Sequence, residues 1–144
     1  FLYGLYAETR RDEVAMFGWD ADAADAFLRM QFDVRTRSYA MQYPQAEDNV
    51  IVLDGRIAGR LIVDRTEAAI VLVDIAVAGA FRQKGIASRL IKQLQSESAA
   101  AGVPLELRVD RSNTNALSLY QKLGLEIKGE DQIQFLMTWE GHRR

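Results

Sequence analysis

Apolar residues in the first third of the chain recur at helical spacing. Phe1, Leu2, Leu5 and Tyr6 form one stripe, continued by Val14, Met16 and Phe17. Gly18 interrupts it, and Asp20 or Asp22 is placed to cap a second helix carrying Ala23, Ala26, Phe27, Met30 and Val34. Pro44 closes this region, because the residue ahead of a proline avoids the helical conformation. The period then becomes strand-like. Apolar runs at 50–53 and 57–63 flank Asp54-Gly55, a dipeptide suited to a two-residue hairpin turn. Thr66-Glu67 marks the next turn, and the almost unbroken apolar run 69–77 predicts a central strand buried on both faces.

Beyond this strand the pattern alternates. Residues 85–101 are helical, with Ile86, Leu90, Ile91 and Leu94 on one face and Gly102 and Pro104 as stop signals. A strand at 105–109 is followed by a helix at 115–123 that Gly124 ends, and by strands at 125–128 and 133–139. Strand–helix–strand–helix–strand predicts an α/β (α+β) protein, a mixed sheet covered by helices. No repeat, low-complexity segment or linker divides the chain, so residues 1–144 are read as a single domain.

Composition removes several chemistries. There is no cysteine, hence no disulfide, thiolate metal site or cysteine nucleophile. The one histidine, His142, is the third residue from the end, so a Ser-His-Asp triad or a histidine metal site is disfavoured and no metal is expected. A net charge of −2 argues against a general nucleic-acid partner. No apolar run reaches membrane-spanning length and no leader pattern opens the chain, so no membrane partner is expected and the cytoplasm is the expected compartment.

The informative stretch runs from Val73 to Ala87. A buried strand leads into a short basic loop, and a helix begins near Gly85. A helix N-terminus offers unpaired N–H groups and the positive end of the dipole. Gly85 and Ala87 let an anion approach the backbone, and Arg82 and Lys84 add positive charge. These are the elements of a phosphate or pyrophosphate cradle. The Walker pattern G-x-x-x-x-G-K-[ST] and the dinucleotide pattern G-x-G-x-x-G are both absent.

The spacing Arg82-x-x-Gly85-x-Ala87 resembles the acyl-CoA loop, Q/R-x-x-G-x-G/A, of the GCN5-related N-acetyltransferase (GNAT) superfamily. A second match lies downstream: Asn113-Thr114-Asn115-Ala116-Leu117-Ser118-Leu119-Tyr120-Gln121-Lys122-Leu123-Gly124-Leu125 resembles its N-x-x-A-x-x-L-Y-x-K-L-G-F signature, with Leu125 where Phe is usual. The resemblance covers roughly 49–139. It implies an acyl-CoA N-acyltransferase fold, a largely antiparallel sheet with one splayed parallel strand pair. Two features depart from the pattern. The superfamily's first strand is expected to be missing ahead of Phe1, and Ala78-Gly79 replaces the proline that often precedes the cradle.

The resemblance further implies acetyl-CoA as donor substrate, its pyrophosphate on the backbone N–H groups of Gln83, Lys84, Gly85, Ile86, Ala87 and Ser88, with Arg82 at the start of the loop. The pantetheine arm would lie beside 74–77, where a bulge and splaying strands make a slot, and an N–H of Ile75, Ala76 or Val77 would polarise the thioester carbonyl. Asn113 matches the position that hydrogen-bonds the pantetheine arm; a helix cap is its plainer reading, and the two are compatible. Tyr120 matches the general acid that protonates the departing thiolate, and a core tyrosine is the plainer reading. Asp74 interrupts an apolar strand and is read either as the base or as the partner of a structural arginine. Glu13, Trp19, Gln31, Tyr39 and Tyr43 fall in the helices that would wall the acceptor pocket.

The function implied is direct acetyl transfer in a ternary complex to a primary amine, of a small molecule in the first reading. A protein N-terminal or lysine acetyltransferase is the second enzyme reading and needs an open peptide groove. An acyl-CoA sensor without turnover is the alternative of another class, and the retained Tyr120 argues against it. A homodimer is considered because an edge strand such as the C-terminal one could be covered by a second copy.

Overall fold

The computed structural model describes residues 2–15, 18, 20–79 and 85–141 and, within the first helix, the side chains of 2–7 and 10. Two helices open the chain, α1 (Leu2–Ala15) and α2 (Ala21–Gln42). Of the two candidate caps, Asp20 is the one used. Its side chain accepts from the Ala23 N–H at 2.8 Å, satisfying one of the orphan donors of the first turn.

Strands β1 (Glu47–Leu53) and β2 (Arg56–Arg65) form the expected hairpin. Asp54 and Gly55 both take positive φ, 52° and 77°, as the primed turn requires. β3 (Ile70–Val77), α3 (Ile86–Ala101), β4 (Leu105–Asp110), α4 (Thr114–Lys122), β5 (Glu126–Glu130) and β6 (Gln134–Trp139) follow. The sheet order is β1-β2-β3-β4-β6-β5, with β3–β4 the one parallel pair and every other pair antiparallel. β6 therefore lies inside the sheet, which corrects the expectation that the C-terminal strand is an edge. The edges are β1 and β5.

The core lies where α3 and α4 cover one face of the sheet. Ile91, Leu105, Leu107 and Met137 are fully enclosed there, joined by Leu72, Leu94, Val109 and Tyr120. Ser98 and Gln95 are buried polar groups of α3 that bond to the carbonyls of Val103 and Leu123, tying the helix to the chain on either side. A smaller cluster, with Ala7 and Leu28 buried beside Tyr3, Tyr6 and Phe27, joins α1 to α2.

One glycine is fixed by close approach. A Cβ on Gly59 of β2 would stand 2.1 Å from the Ala76 carbonyl oxygen of β3, a backbone atom that cannot rotate away. Gly59→Ala is accordingly expected to lose about 3 kcal/mol of stability, a fall in Tm of roughly 10 °C by calorimetry. An unchanged Tm would show that β2 and β3 are further apart than described.

Candidate acetyl-transfer site

β3 and β4 pair only over Ile70–Leu72 and Leu105–Leu107, then part. A bulge in β3 accompanies the parting. Ile62 faces Asp74 and Val63 faces Leu72, so Val73 is the extra residue. Because β4 diverges, 73–77 is half-buried, and the expectation of a strand buried on both faces holds only for its first part, where Ile70 and Leu72 are enclosed. Strand alternation then decides which backbone groups face the gap. The Ala78 N–H donates to the Ala58 carbonyl at 2.7 Å and the Ala76 carbonyl lies against Gly59, so both residues turn their backbone toward β2. Ile75, between them in phase, turns its N–H toward the gap. Of the three residues expected to polarise the carbonyl, Ala76 turns its backbone toward β2, and Val77 shares the phase of Ile75.

The gap opens into a cavity of about 1080 Å³. Its floor is β3 and β4, α4 contributes Asn113, Ala116 and Tyr120, and α1 and α2 form the roof with Leu5, Tyr6, Phe32, Arg35, Tyr39 and Tyr43. Tyr6 and Phe32 pack ring against ring at 5.6 Å, which fixes α1 against α2 above the sheet.

Tyr120 is 8% exposed and lies against the core, yet it also lines the cavity. Its hydroxyl makes no hydrogen bond among the described residues. The hydroxyl is therefore a donor that faces the cavity. Burial, and secondarily the negative charge of Asp74, push the phenol up to about 12. It stays protonated at any ordinary pH, as a proton donor must.

Asp74 is ion-paired. Arg35 donates to its carboxylate at 3.0 Å and to the Tyr39 hydroxyl at 2.7 Å. Burial works against the Arg35 charge, but Asp74 and Tyr39 outweigh it and hold the guanidinium above its ordinary range. Tyr39 is raised by burial and by Asp74, with Arg35 opposing. The arginine of the second reading of Asp74 is thus Arg35. Sequence reasoning missed Arg35; the available signal was its position one turn before Tyr39 on α2. It also missed Arg60, buried and bidentate to Asp48 on the cavity wall.

Asn113 caps α4, accepting from the Ala116 N–H at 3.2 Å, and lines the cavity, so its two readings coexist geometrically. Gly85 caps α3 in the left-handed conformation, φ 72°, and no side chain among the described residues caps the first-turn N–H groups of Ile86, Ala87 and Ser88. Tyr39 and Tyr43 line the cavity, whereas Gln31 does not; its amide oxygen accepts from the Tyr6 hydroxyl at 3.3 Å. Arg82, Gln83, Lys84 and Trp19 lie outside the described residues, as does the side chain of Glu13 on α1.

The chain matches the acetyltransferase (GNAT) family model over residues 5–125. It belongs to that family. Solved GNAT structures share its fold at low identity. The PaiA N-acetyltransferase of Thermoplasma acidophilum, in complex with coenzyme A, superposes with a TM-score of 0.70 at 15% identity, covering 96% of this chain and 90% of that one. A GNAT family acetyltransferase of Elizabethkingia anophelis with acetyl-CoA bound gives 0.62 at 22%, covering 72% and 82%. The ribosomal-protein-S18-alanine N-acetyltransferase of Escherichia coli gives 0.59 at 22%, covering 71% and 74%. No curated protein sequence matches. In this GNAT protein no helix among the described residues is long and apolar enough to cross a membrane. No group of three or more acidic or histidine side chains among those residues is placed to hold a metal.

Proposed function

We propose that this GNAT protein is an acetyl-CoA-dependent N-acetyltransferase whose acceptor is the primary amine of a small molecule. The carrying observation is the unpartnered Tyr120 hydroxyl in the wall of a cavity that opens where β3 and β4 part. A binding module has no use for a buried, protonated, uncommitted donor at that point.

On this reading the uncapped N-terminus of α3 with Gly85, together with Arg82, Gln83 and Lys84, holds the donor's pyrophosphate. The edge of β3 past its bulge pairs with the pantetheine arm, which Asn113 also contacts. The Ile75 N–H faces the gap and polarises the thioester carbonyl. The acceptor ammonium first gives up a proton. Its nitrogen then attacks the carbonyl carbon, the C–N bond forms and the C–S bond breaks. Tyr120 donates its proton to the leaving sulfur, and the second proton shed by the nitrogen returns to the phenolate through cavity water, so one proton is released per turnover. Asp74, expected as the base, is committed to Arg35. We assign that pair a positioning role, holding Tyr39 and the roof of the acceptor side.

The aromatic roof of Tyr6, Phe32 and Tyr39 above the sheet supports a small acceptor over a peptide. The test follows thiol release from acetyl-CoA with panels of small amines and of peptides with free N-termini or lysines, and identifies products by mass. Acetylated small amines are the expected result. Acetylation of peptides alone would move the assignment to the protein-modifying reading.

A second expectation concerns the clamp. Arg35→Met leaves Asp74 without its cation in a half-buried wall and frees Tyr39. It should raise the acceptor KM by roughly tenfold, with acetyl-CoA affinity within about twofold. An unchanged KM would remove Arg35 from the acceptor side.

A further inference from the structure

The cavity wall carries seven charged side chains, Arg10, Arg35, Arg60, Asp74, Glu106, Arg108 and Asp110. Five of them have company. Arg35 and Asp74 pair, Arg60 is held by Asp48, Asp110 accepts from Gln134, and Arg10 lies over the Tyr6 ring. Glu106 and Arg108 make no hydrogen bond or ion pair among the described residues; Arg108 has only the longer-range attraction of Asp131. They are also the two that sit together at the point of parting. Glu106 faces Val71 across the parallel pair, and that pairing ends at Leu72 and Leu107. Arg108 is the next residue of the same strand face, the first beyond the parting. Leu105, Leu107 and Val109, in the opposite phase, are buried in the core, which turns Glu106 and Arg108 toward the cavity.

A carboxylate and a guanidinium two residues apart on one strand face, about 7 Å from Cα to Cα, form a bipolar pair. Glu106, the half-buried member, loses part of its hydration in the cavity wall, and a ligand cation would restore it. We propose that the acceptor is an amine that also carries a carboxylate, of the amino-acid type, with its ammonium on Glu106 and its carboxylate on Arg108. This deepens the acetyltransferase reading and rests on it. Arg108 is exposed at its end of the pair, where an acceptor enters; Glu106 is half-buried at the vertex, beside the bulge where the thioester carbonyl is placed. Glu106 then takes the first proton of the ammonium and passes it to solvent after the C–N bond has formed, with the remaining transfers as given above.

The test compares α-amino acids with their amides and with the matching decarboxylated amines, at saturating acetyl-CoA. It uses the wild type, Arg108→Met, Arg108→Lys and Glu106→Gln, each first checked by thermal melting and by acetyl-CoA titration. The wild type should prefer the carboxylate-bearing amine by tenfold or more in kcat/KM. Arg108→Met should raise KM for that amine by roughly 30-fold, leave kcat within about twofold, and leave the decarboxylated amine unaffected. Arg108→Lys should recover part of the loss. Glu106→Gln should lower kcat by roughly 10²-fold for every acceptor. Equal use of amines with and without a carboxylate would overturn the proposal, as would a parallel loss for both in Arg108→Met. Acetyl-CoA binding with no turnover of any carboxylate-bearing amine would also overturn it while leaving the donor site standing. Absence of acetyl-CoA binding would remove the underlying reading and this proposal together.

Discussion

Replacing Tyr120 by phenylalanine is expected to lower kcat by roughly 10²-fold or more while the acetyl-CoA dissociation constant stays within about threefold. The hydroxyl makes no hydrogen bond among the described residues, so its removal orphans no described buried group, and the ring keeps its contacts with the core. Tm should therefore move by no more than about 2 °C, and the loss of rate is a loss of proton donation. The sign of the phenol's shift adds a second reading. Its folded value is about 12 against an ordinary 10, so Tyr120 keeps its proton throughout the pH range of an activity assay. The wild-type pH–rate profile should show no alkaline fall attributable to Tyr120 below about pH 11. Stability carries the same sign. The neutral phenol is favoured in the fold, so its contribution is intact below pH 10 and declines as pH rises from there through 12, where the unfolded chain ionises first. Undiminished kcat in Tyr120→Phe would remove the general-acid assignment.

Gly85→Asp is expected to weaken acetyl-CoA binding on the order of 10²-fold, with about 1 kcal/mol of stability lost to a side chain at positive φ. Gly85 caps α3 at φ 72°, a conformation that aspartate and asparagine tolerate better than other side chains, and a Cβ there meets nothing within 4 Å. Aspartate is also a good helix cap. What it adds is a negative charge at the end of α3, where the proposed function puts the donor's pyrophosphate. Gly85→Asn, with the same shape and no charge, separates the two effects and should retain most of the affinity. Equal weakening by both variants would mean that backbone shape, rather than charge, governs the cradle. Wild-type affinity in Gly85→Asp would place the anion elsewhere.

The features legible in the sequence were local ones. Asp54-Gly55 dictates its turn through φ, Asp20 and Asn113 cap the helices they precede, and Gly102 ends α3 in the left-handed conformation. Tyr120 was legible as a cavity residue because one motif, 113–125, places it in register with Asn113 on one short helix. Features that depend on long-range pairing were not. Asp74 and Arg35 are 39 residues apart, and no spacing rule joins a strand residue to a helix packed across it. The interior place of β6 follows from its pairing with β4 on one side and β5 on the other, which its own alternation does not encode. Gln31 and Tyr39 lie on one helix two turns apart, yet Tyr39 reaches the cavity while Gln31 accepts from Tyr6. Glu106 and Arg108 read in the sequence as ordinary polar positions of an alternating strand, and only the parting of β3 from β4 gives them a cavity to face.

The central claim is that the parted strands and the N-terminus of α3 form an acetyl-CoA site. Calorimetric titration of the protein with acetyl-CoA, with CoA and ATP as comparators, tests it most directly. The account predicts saturable binding of one acetyl-CoA per chain, comparable binding of CoA, and far weaker binding of ATP, which lacks the pantetheine arm that pairs with β3. A folded protein that binds no acetyl-CoA, or binds ATP equally well, would contradict it.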